Sequence, residues 1–253
     1  MRHAIVTAGT KGLGRKITDY FLSLGYSVTA TYRSDQQKAQ ELVAAHQSDS
    51  YRLQVVHLDT MDKQSIENAI NEAYQRFGRI DCLISNAGPY IFERKKLLDY
   101  TEDEWHEMVR GNLDASFYLL RNVLPIMREQ QFGRVLFLGF QGVDYSSGWI
   151  YRSAFASAKV GLASLMKTVA LEEAEHHITA NMVAPGKIAG DMKEASISES
   201  RNQPDTETPV GRPGSGEDIA RTVAYLCGDD SDMITGTVVE VTGGLDVIHK
   251  HLS

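Results

Sequence analysis

Short apolar runs alternate along the chain with longer stretches whose apolar residues recur at helical spacing. Residues 4–7, 28–31, 53–58, 80–85, 135–138, 178–183 and 238–241 read as strands. Each is a brief apolar run bounded by turn formers, the pattern of a strand buried on both faces. Between them Leu13, Ile17, Phe21 and Leu24 repeat with helical period, as do Ile66, Ala69, Ile70 and Ala73. Thr101-x-x-Glu104 has the form of a capping box opening another helix. Strands alternating with helices predict βαβ units. The fold class is therefore α/β: a Rossmann-type, doubly wound parallel sheet of seven strands in a three-layer sandwich, one domain over residues 1–253. Residues from about 185 to 216 are rich in Gly, Pro, Ser and Asp and lack a strong period. They predict a mobile loop with short helices, and within it 187–215 is the segment expected to close over a substrate.

Length and composition fit that picture. A chain of 253 residues suits one large α/β domain, and 42% hydrophobic with 23% charged residues is ordinary globular composition. A formal charge of −7 argues against a nucleic-acid surface, which needs a basic stripe. Cys82 and Cys227 lie in apolar surroundings and read as core thiols in a reducing compartment. The first strand begins almost at Met1, and no apolar run approaches membrane-spanning length, so a cytoplasmic protein is expected. His176-His177 and His249-x-His251 have no carboxylate or cysteine cluster in ligand spacing, which makes them surface histidines and predicts no metal site.

The chemistry starts after the first strand, at Thr7-Ala8-Gly9-Thr10-Lys11-Gly12-Leu13-Gly14, followed at once by a helical pattern. Small residues let the backbone turn tightly against a pyrophosphate, and the helix start offers free N–H groups and a positive dipole end. Arg15 rather than Lys follows the last glycine, so this is not a Walker loop. The second strand ends in Tyr32-Arg33-Ser34, where an NAD-selective site places a carboxylate for the ribose 2′-hydroxyl. Lys11, Arg33 and Ser34 instead suit a 2′-phosphate. A lone arginine here is otherwise a solvated surface charge.

These segments resemble the short-chain dehydrogenase/reductase family, whose loop reads Thr-Gly-x-x-x-Gly-x-Gly; Ala8 replaces the first glycine and Gly9 is displaced by one. Asp59 matches the family's adenine-contacting aspartate, and Asn86-Ala87-Gly88 its cofactor floor. Pro185-Gly186-Lys187-Ile188 matches Pro-Gly-x-Ile, whose Ile backbone holds the nicotinamide carboxamide, while Gly190 replaces a frequent threonine. The resemblance implies NADP(H) as cofactor, held by Gly9, Thr10, Lys11, Gly12, Leu13, Gly14, Arg33, Ser34, Asp59, Asn86, Ala87, Gly88, Lys159, Pro185, Gly186 and Ile188. It also implies a small-molecule or acyl-carrier-bound carbonyl substrate, 3-oxoacyl thioesters above all. A homo-oligomer follows too, with the closing stretch from Thr235 to Gly244 near its contacts and Ile126-Met127 and residues 162–166 on two long helices as interface candidates, whose apolar faces are equally those of ordinary core.

In that family a tyrosine hydroxyl supplies the proton to a carbonyl reduced by hydride, a serine polarises the carbonyl, and a lysine four residues after the tyrosine supports it. Asn112 and Lys159 fall where the family has its Asn and Lys, but Phe140 and Phe155 fall at the serine and tyrosine positions. Neither ring can donate a hydrogen bond. Three readings follow. A substitute hydroxyl comes from the longer 140–152 loop, with Tyr151 leading, one possible helical turn before Phe155, and Tyr145, Ser146, Ser147 and Tyr90 behind it. A water on Lys159 and Asn112, or an acidic substrate group, delivers the proton. Or the protein binds NADP(H) without hydride transfer and controls a partner.

Overall fold

The computed structural model describes residues 1–248, so His249 and His251 lie outside the described residues. Seven strands form one sheet: β1 (His3–Val6), β2 (Ser27–Tyr32), β3 (Leu53–His57), β4 (Cys82–Ser85), β5 (Gly133–Leu138), β6 (Ile178–Pro185) and β7 (Val238–Val241), in the order β3-β2-β1-β4-β5-β6-β7. Every neighbouring pair is parallel. This is the doubly wound, Rossmann-type sheet expected from the alternation of strand and helix patterns. The winding reverses between β1 and β4, which pair in the register Ala4–Cys82 to Val6–Ile84. A crevice opens at the carboxyl ends of such strands, and ligands of these folds bind there.

Helices α1 (Gly12–Ser23), α2 (Gln36–Ala45) and α8 (Gly216–Cys227) cover one face. There Ile17, Phe21, Leu42, Ile219 and Val223 are buried with Val6, Val28 and Ile84. Both cysteines sit buried in this layer. The other face carries α3 (Lys63–Phe77), α5 (Ala115–Gln130) and α6 (Ser153–Glu172), which bury Ile66, Ile70, Leu119, Val123, Leu162 and Met166 against Ile5, Leu83 and Val135. Helix α4 (Glu102–Val109) opens with the predicted capping box: Glu104 N donates to Thr101 Oγ1 at 3.2 Å, and Thr101 N to Glu104 Oε2 at 2.9 Å. In the late segment lie a 3₁₀ turn, Gly190–Lys193, and the short α7 (Ile197–Arg201).

One expectation needs correction. Helix α6 has 20 residues and is long and apolar enough, by length and composition, to cross a membrane. Its apolar character has another cause: Ala154, Ala158, Leu162, Met166 and Ala170 are buried between β6 and the neighbouring helices. Of the two readings of Met127, Leu162 and Met166, interface or core, burial inside the subunit favours the core. They are core residues, because their helix faces point at the sheet.

Candidate active site

The turn from β1 to α1 is fixed by close backbone contacts. Ala8 has φ 50°, a left-handed conformation that costs a non-glycine residue about 1 kcal/mol. Gly9 N donates to Thr31 O at 2.8 Å, and Thr18 Oγ1 donates to Gly9 O at 3.0 Å. A Cβ on Gly14 would stand 2.1 Å from Ala8 O and 2.7 Å from Asn86 Nδ2, so only glycine lets the helix begin this close to the sheet. Helix α1 has no side-chain cap and no acidic residue in its first turn. Its positive end meets a carboxylate from far along the chain: Gly12 N donates to Glu194 Oε1 at 2.6 Å. Glu194, just after the 3₁₀ turn, thus holds an N–H that the glycine loop was expected to offer to a phosphate.

Beside this loop lies a cleft of about 210 Å³, lined by Thr10, Lys11, Arg33, Ser34, Leu58 and Thr60 among others. Lys11 and Arg33 border this cleft together, and Lys11 pairs with Asp35 at 3.2 Å. The carboxyl of Asp35 also caps α2 by accepting from Lys38 N, and these two contacts hold it below the usual carboxylate range. Arg33 is exposed and makes no ion pair among the described residues. Asp59 is placed at the rim, where its side chain accepts from Met61 N at 2.9 Å; Leu58 and Thr60 on either side face the cleft.

The floor is the turn after β4. Thr7 Oγ1 accepts from Asn86 N and Ala87 N at 2.9 and 2.8 Å, and Asn86 Nδ2 donates to Thr7 O at 2.9 Å. Thr7, expected to close β1, instead locks the two strand ends together. A Cβ on Gly88 would lie 2.3 Å from Asn112 Oδ1, so the glycine admits that side chain. Asn112 sits in a turn of π-helix, Arg110–Asp114, which joins α4 to α5 and packs on α6. Such turns leave the regular ladder and often mark functional sites. Asn112 Nδ2 donates to Pro89 O and Met108 O, both at 3.0 Å, while its buried Oδ1 has no partner among the described residues. On α6, the buried Lys159 donates to Leu138 O at 2.8 Å and has no carboxylate partner among the described residues. Burial pushes its ammonium down to about 8. At the far side Pro185 closes β6 opposite Val241, and Gly186 N donates to Val241 O at 2.9 Å as the chain passes on to Ile188.

Around Lys159 the walls are aromatic. Its Nζ lies 5.7 Å from the centroid of the Phe155 ring, and the Phe140 and Trp149 rings lie 6.2 Å from that ring and 5.2 Å from each other. Tyr90 meets Phe155 edge-on at 4.9 Å. Tyr151 is not on α6, which starts at Ser153, so the helical-turn relation to Phe155 fails. Tyr151 has φ 64°, and its ring faces the Arg94 guanidinium at 5.8 Å. Tyr145 is 82% exposed. Among the described residues, no group of His, Cys, Asp and Glu is arranged to hold a metal.

A family model described as enoyl-(acyl carrier protein) reductase matches residues 7–246. The chain belongs to the short-chain dehydrogenase/reductase family. YtkK of Bacillus subtilis (strain 168), an oxidoreductase by name only, is 59% identical over 252 residues, 99% of both chains. FabG of Haemophilus influenzae, a 3-oxoacyl-(acyl-carrier-protein) reductase, is 36% identical over 242 residues, 96% of this chain and 97% of its own. A Bacillus thuringiensis structure assigned as a 3-oxoacyl-reductase is 57% identical with a TM-score of 0.94, covering 98% of this chain and 100% of that one.

Within this short-chain dehydrogenase/reductase the sequence reading missed three residues of the site: Asp35, Glu194 and Arg152, whose Nε donates to Tyr90 Oη at 2.6 Å. Asp35 carried one weak signal, its place as a cap before α2. Glu194 and Arg152 carried none, since each acts on residues 182 and 62 positions away.

Proposed function

We propose that the protein is an NADPH-dependent oxidoreductase that reduces a carbonyl, with 3-oxoacyl thioesters as the leading substrate class and a proton source other than residues 140 and 155. The observation that carries this reading is Lys159, a buried ammonium whose one partner among the described residues is the Leu138 carbonyl at the end of β5. A protein does not keep an uncompensated buried cation for stability. The residues fit the cofactor: α1 starts with no side-chain cap and no acidic residue in its first turn, so its positive end can take an anion once Glu194 leaves Gly12 N, and Arg33, without an ion pair among the described residues, suits a 2′-phosphate. The names of FabG and of the Bacillus thuringiensis protein support the substrate class.

NADPH, when bound, supplies the hydride. Gly9 to Gly14 with Arg33 and Ser34 would hold its phosphates, and Asn86 to Gly88, Lys159, Pro185, Gly186 and Ile188 its sugar and nicotinamide ends. Lys159 would place positive charge beside the carbonyl oxygen as electrons collect there, the kind of stabilisation that dominates in a dry site. Residues 187–215 would close the site, and a homo-oligomer is the expected assembly.

The aromatic cluster favours a second reading, a silent NADP(H) binder, because Phe140 and Phe155 put rings where a polarising hydroxyl would stand. Titration of NADPH fluorescence tests what both readings share, and failure to bind at micromolar protein overturns both. NADPH oxidation over a panel of ketones separates them. We expect turnover by the native protein and its loss in Lys159→Met. An inert native protein that gains turnover only as Phe140→Ser/Phe155→Tyr would establish the silent binder.

A further inference from the structure

A phenol held by a cation does exist at this site, on residues that neither helix periodicity nor the family pattern selects. Arg152 Nε donates to Tyr90 Oη at 2.6 Å. The remaining guanidinium N–H groups donate to the carbonyls of Glu93, Tyr151 and Phe92 at 2.6, 2.9 and 3.0 Å, so the cation is fixed in place. No carboxylate pairs with it among the described residues. Because the hydroxyl oxygen accepts from a charged donor, its own proton points away from Arg152, and among the described residues that proton has no acceptor. The ring of Tyr90 packs edge-on against Phe155 at 4.9 Å, and Lys159 Nζ stands 5.7 Å from the same Phe155 ring. Phe155 is therefore flanked on one side by the Tyr90 ring, whose hydroxyl is held by Arg152, and on another by the buried ammonium.

We propose that Tyr90 supplies the proton that Phe155 cannot, with Arg152 as its positioning residue. This assignment rests on the carbonyl-reductase reading above. The balance is complete: hydride adds to the carbonyl carbon, the C=O π pair moves to oxygen, and that oxygen takes the Tyr90 proton. A ketone is reduced to an alcohol and NADPH is oxidised to NADP⁺. The phenolate left beside the Arg152 guanidinium regains a proton from water, since Phe92, whose ring packs on Tyr90 at 5.0 Å, is 79% exposed. The geometry favours Tyr90 over Tyr151, whose ring is turned to Arg94 and whose carbonyl is already bonded to Tyr100 and Arg152.

Tyr90→Phe removes one hydroxyl and leaves the ring packing. We expect NADPH binding to stay within about twofold of native while turnover of ethyl acetoacetate falls about 10²- to 10⁴-fold, the range for loss of a general acid. The double variant Tyr90→Phe/Phe155→Tyr should recover turnover, because it returns a phenol to the other flank of Lys159. A readout without turnover is the carbonyl stretch of ¹³C-labelled ethyl acetoacetate bound to the protein, followed by isotope-edited infrared spectroscopy. It should shift to lower frequency in the native protein and lose that shift in Tyr90→Phe, and Arg152→Met should weaken it. An unshifted or variant-independent band overturns the role of Tyr90, as does turnover lost in Tyr151→Phe but kept in Tyr90→Phe. A native protein inert toward ketones overturns the parent reading instead, and the infrared band tells the two failures apart.

Discussion

Arg33 and Lys11 border the same cleft but are not equally available to an anion. Lys11 is shared with Asp35, in a pair whose side chains are 59% and 35% exposed, and such pairs hold weakly. Arg33 has no competing carboxylate, so it should carry most of the preference for a 2′-phosphate. Charge-assisted hydrogen bonds contribute about 1.5–3 kcal/mol, which corresponds to roughly 10- to 100-fold in affinity. Arg33→Ser is therefore expected to weaken NADPH binding by about that factor while changing NADH binding little, as read by fluorescence titration of both. Equal losses for the two cofactors would show Arg33 to be a solvated charge. Asp35→Asn keeps a capping side chain on α2 and removes the negative charge, so it should tighten NADPH severalfold and leave NADH unchanged.

At the scale of elements, Glu194 bridges parts of the chain that no local pattern connects. Its carboxylate accepts from Gly12 N at the positive end of α1, the place where an incoming pyrophosphate would bind. The segment that carries it is anchored on α8, where Glu217 N donates to Ala195 O and Ile197 N donates to Glu217 Oε2 at 2.8 Å. A cofactor must displace this carboxylate, and a charge at a helix start contributes about 0.3–1 kcal/mol. Glu194→Gln is thus expected to bind NADPH about two- to fivefold tighter, with faster association in stopped-flow fluorescence. Weaker binding would make Glu194 a ligand-positioning residue instead.

The same element explains what could be read from the sequence. Strands and helices announce themselves because their apolar residues repeat locally, and the sheet emerged with edges displaced by one or two residues, as where Ile80 precedes β4 and Thr7 follows β1. The glycine loop, Asn112 and Lys159 were legible because family motifs fix their positions. Glu194, Arg152 and the preference for Tyr90 over Tyr151 were not. They sit on loops without period, and their partners are set only when the chain closes, so a tyrosine next in sequence to α6 looked better placed than one arriving from the turn after β4.

For the whole molecule, Lys159 links function to stability. A free lysine titrates at 10.5, and burial lowers this one to about 8. Below about pH 8 both folded and unfolded chains carry the proton, so the folded state bears the full cost of burying the charge. Between 8 and 10.5 the folded state gives up its proton first, and this group's contribution to stability rises with pH by up to about 3 kcal/mol. Cys82 acts in the opposite direction: burial pushes its thiol well up, so the unfolded chain ionises first and stability falls above about pH 9. The native profile contains both effects, and the comparison that isolates Lys159 is the difference between native and Lys159→Met. Methionine fills the same space without the charge. At pH 7 the variant should melt several degrees higher, since a domain of this size shifts by about 2–4 °C per kcal/mol. The gap should close as pH approaches 10.5, while turnover is lost throughout. A variant that melts at or below the native temperature at pH 7 would mean that the ammonium's bond to Leu138 O repays its burial, and Lys159 would then be a structural residue of the α6 core.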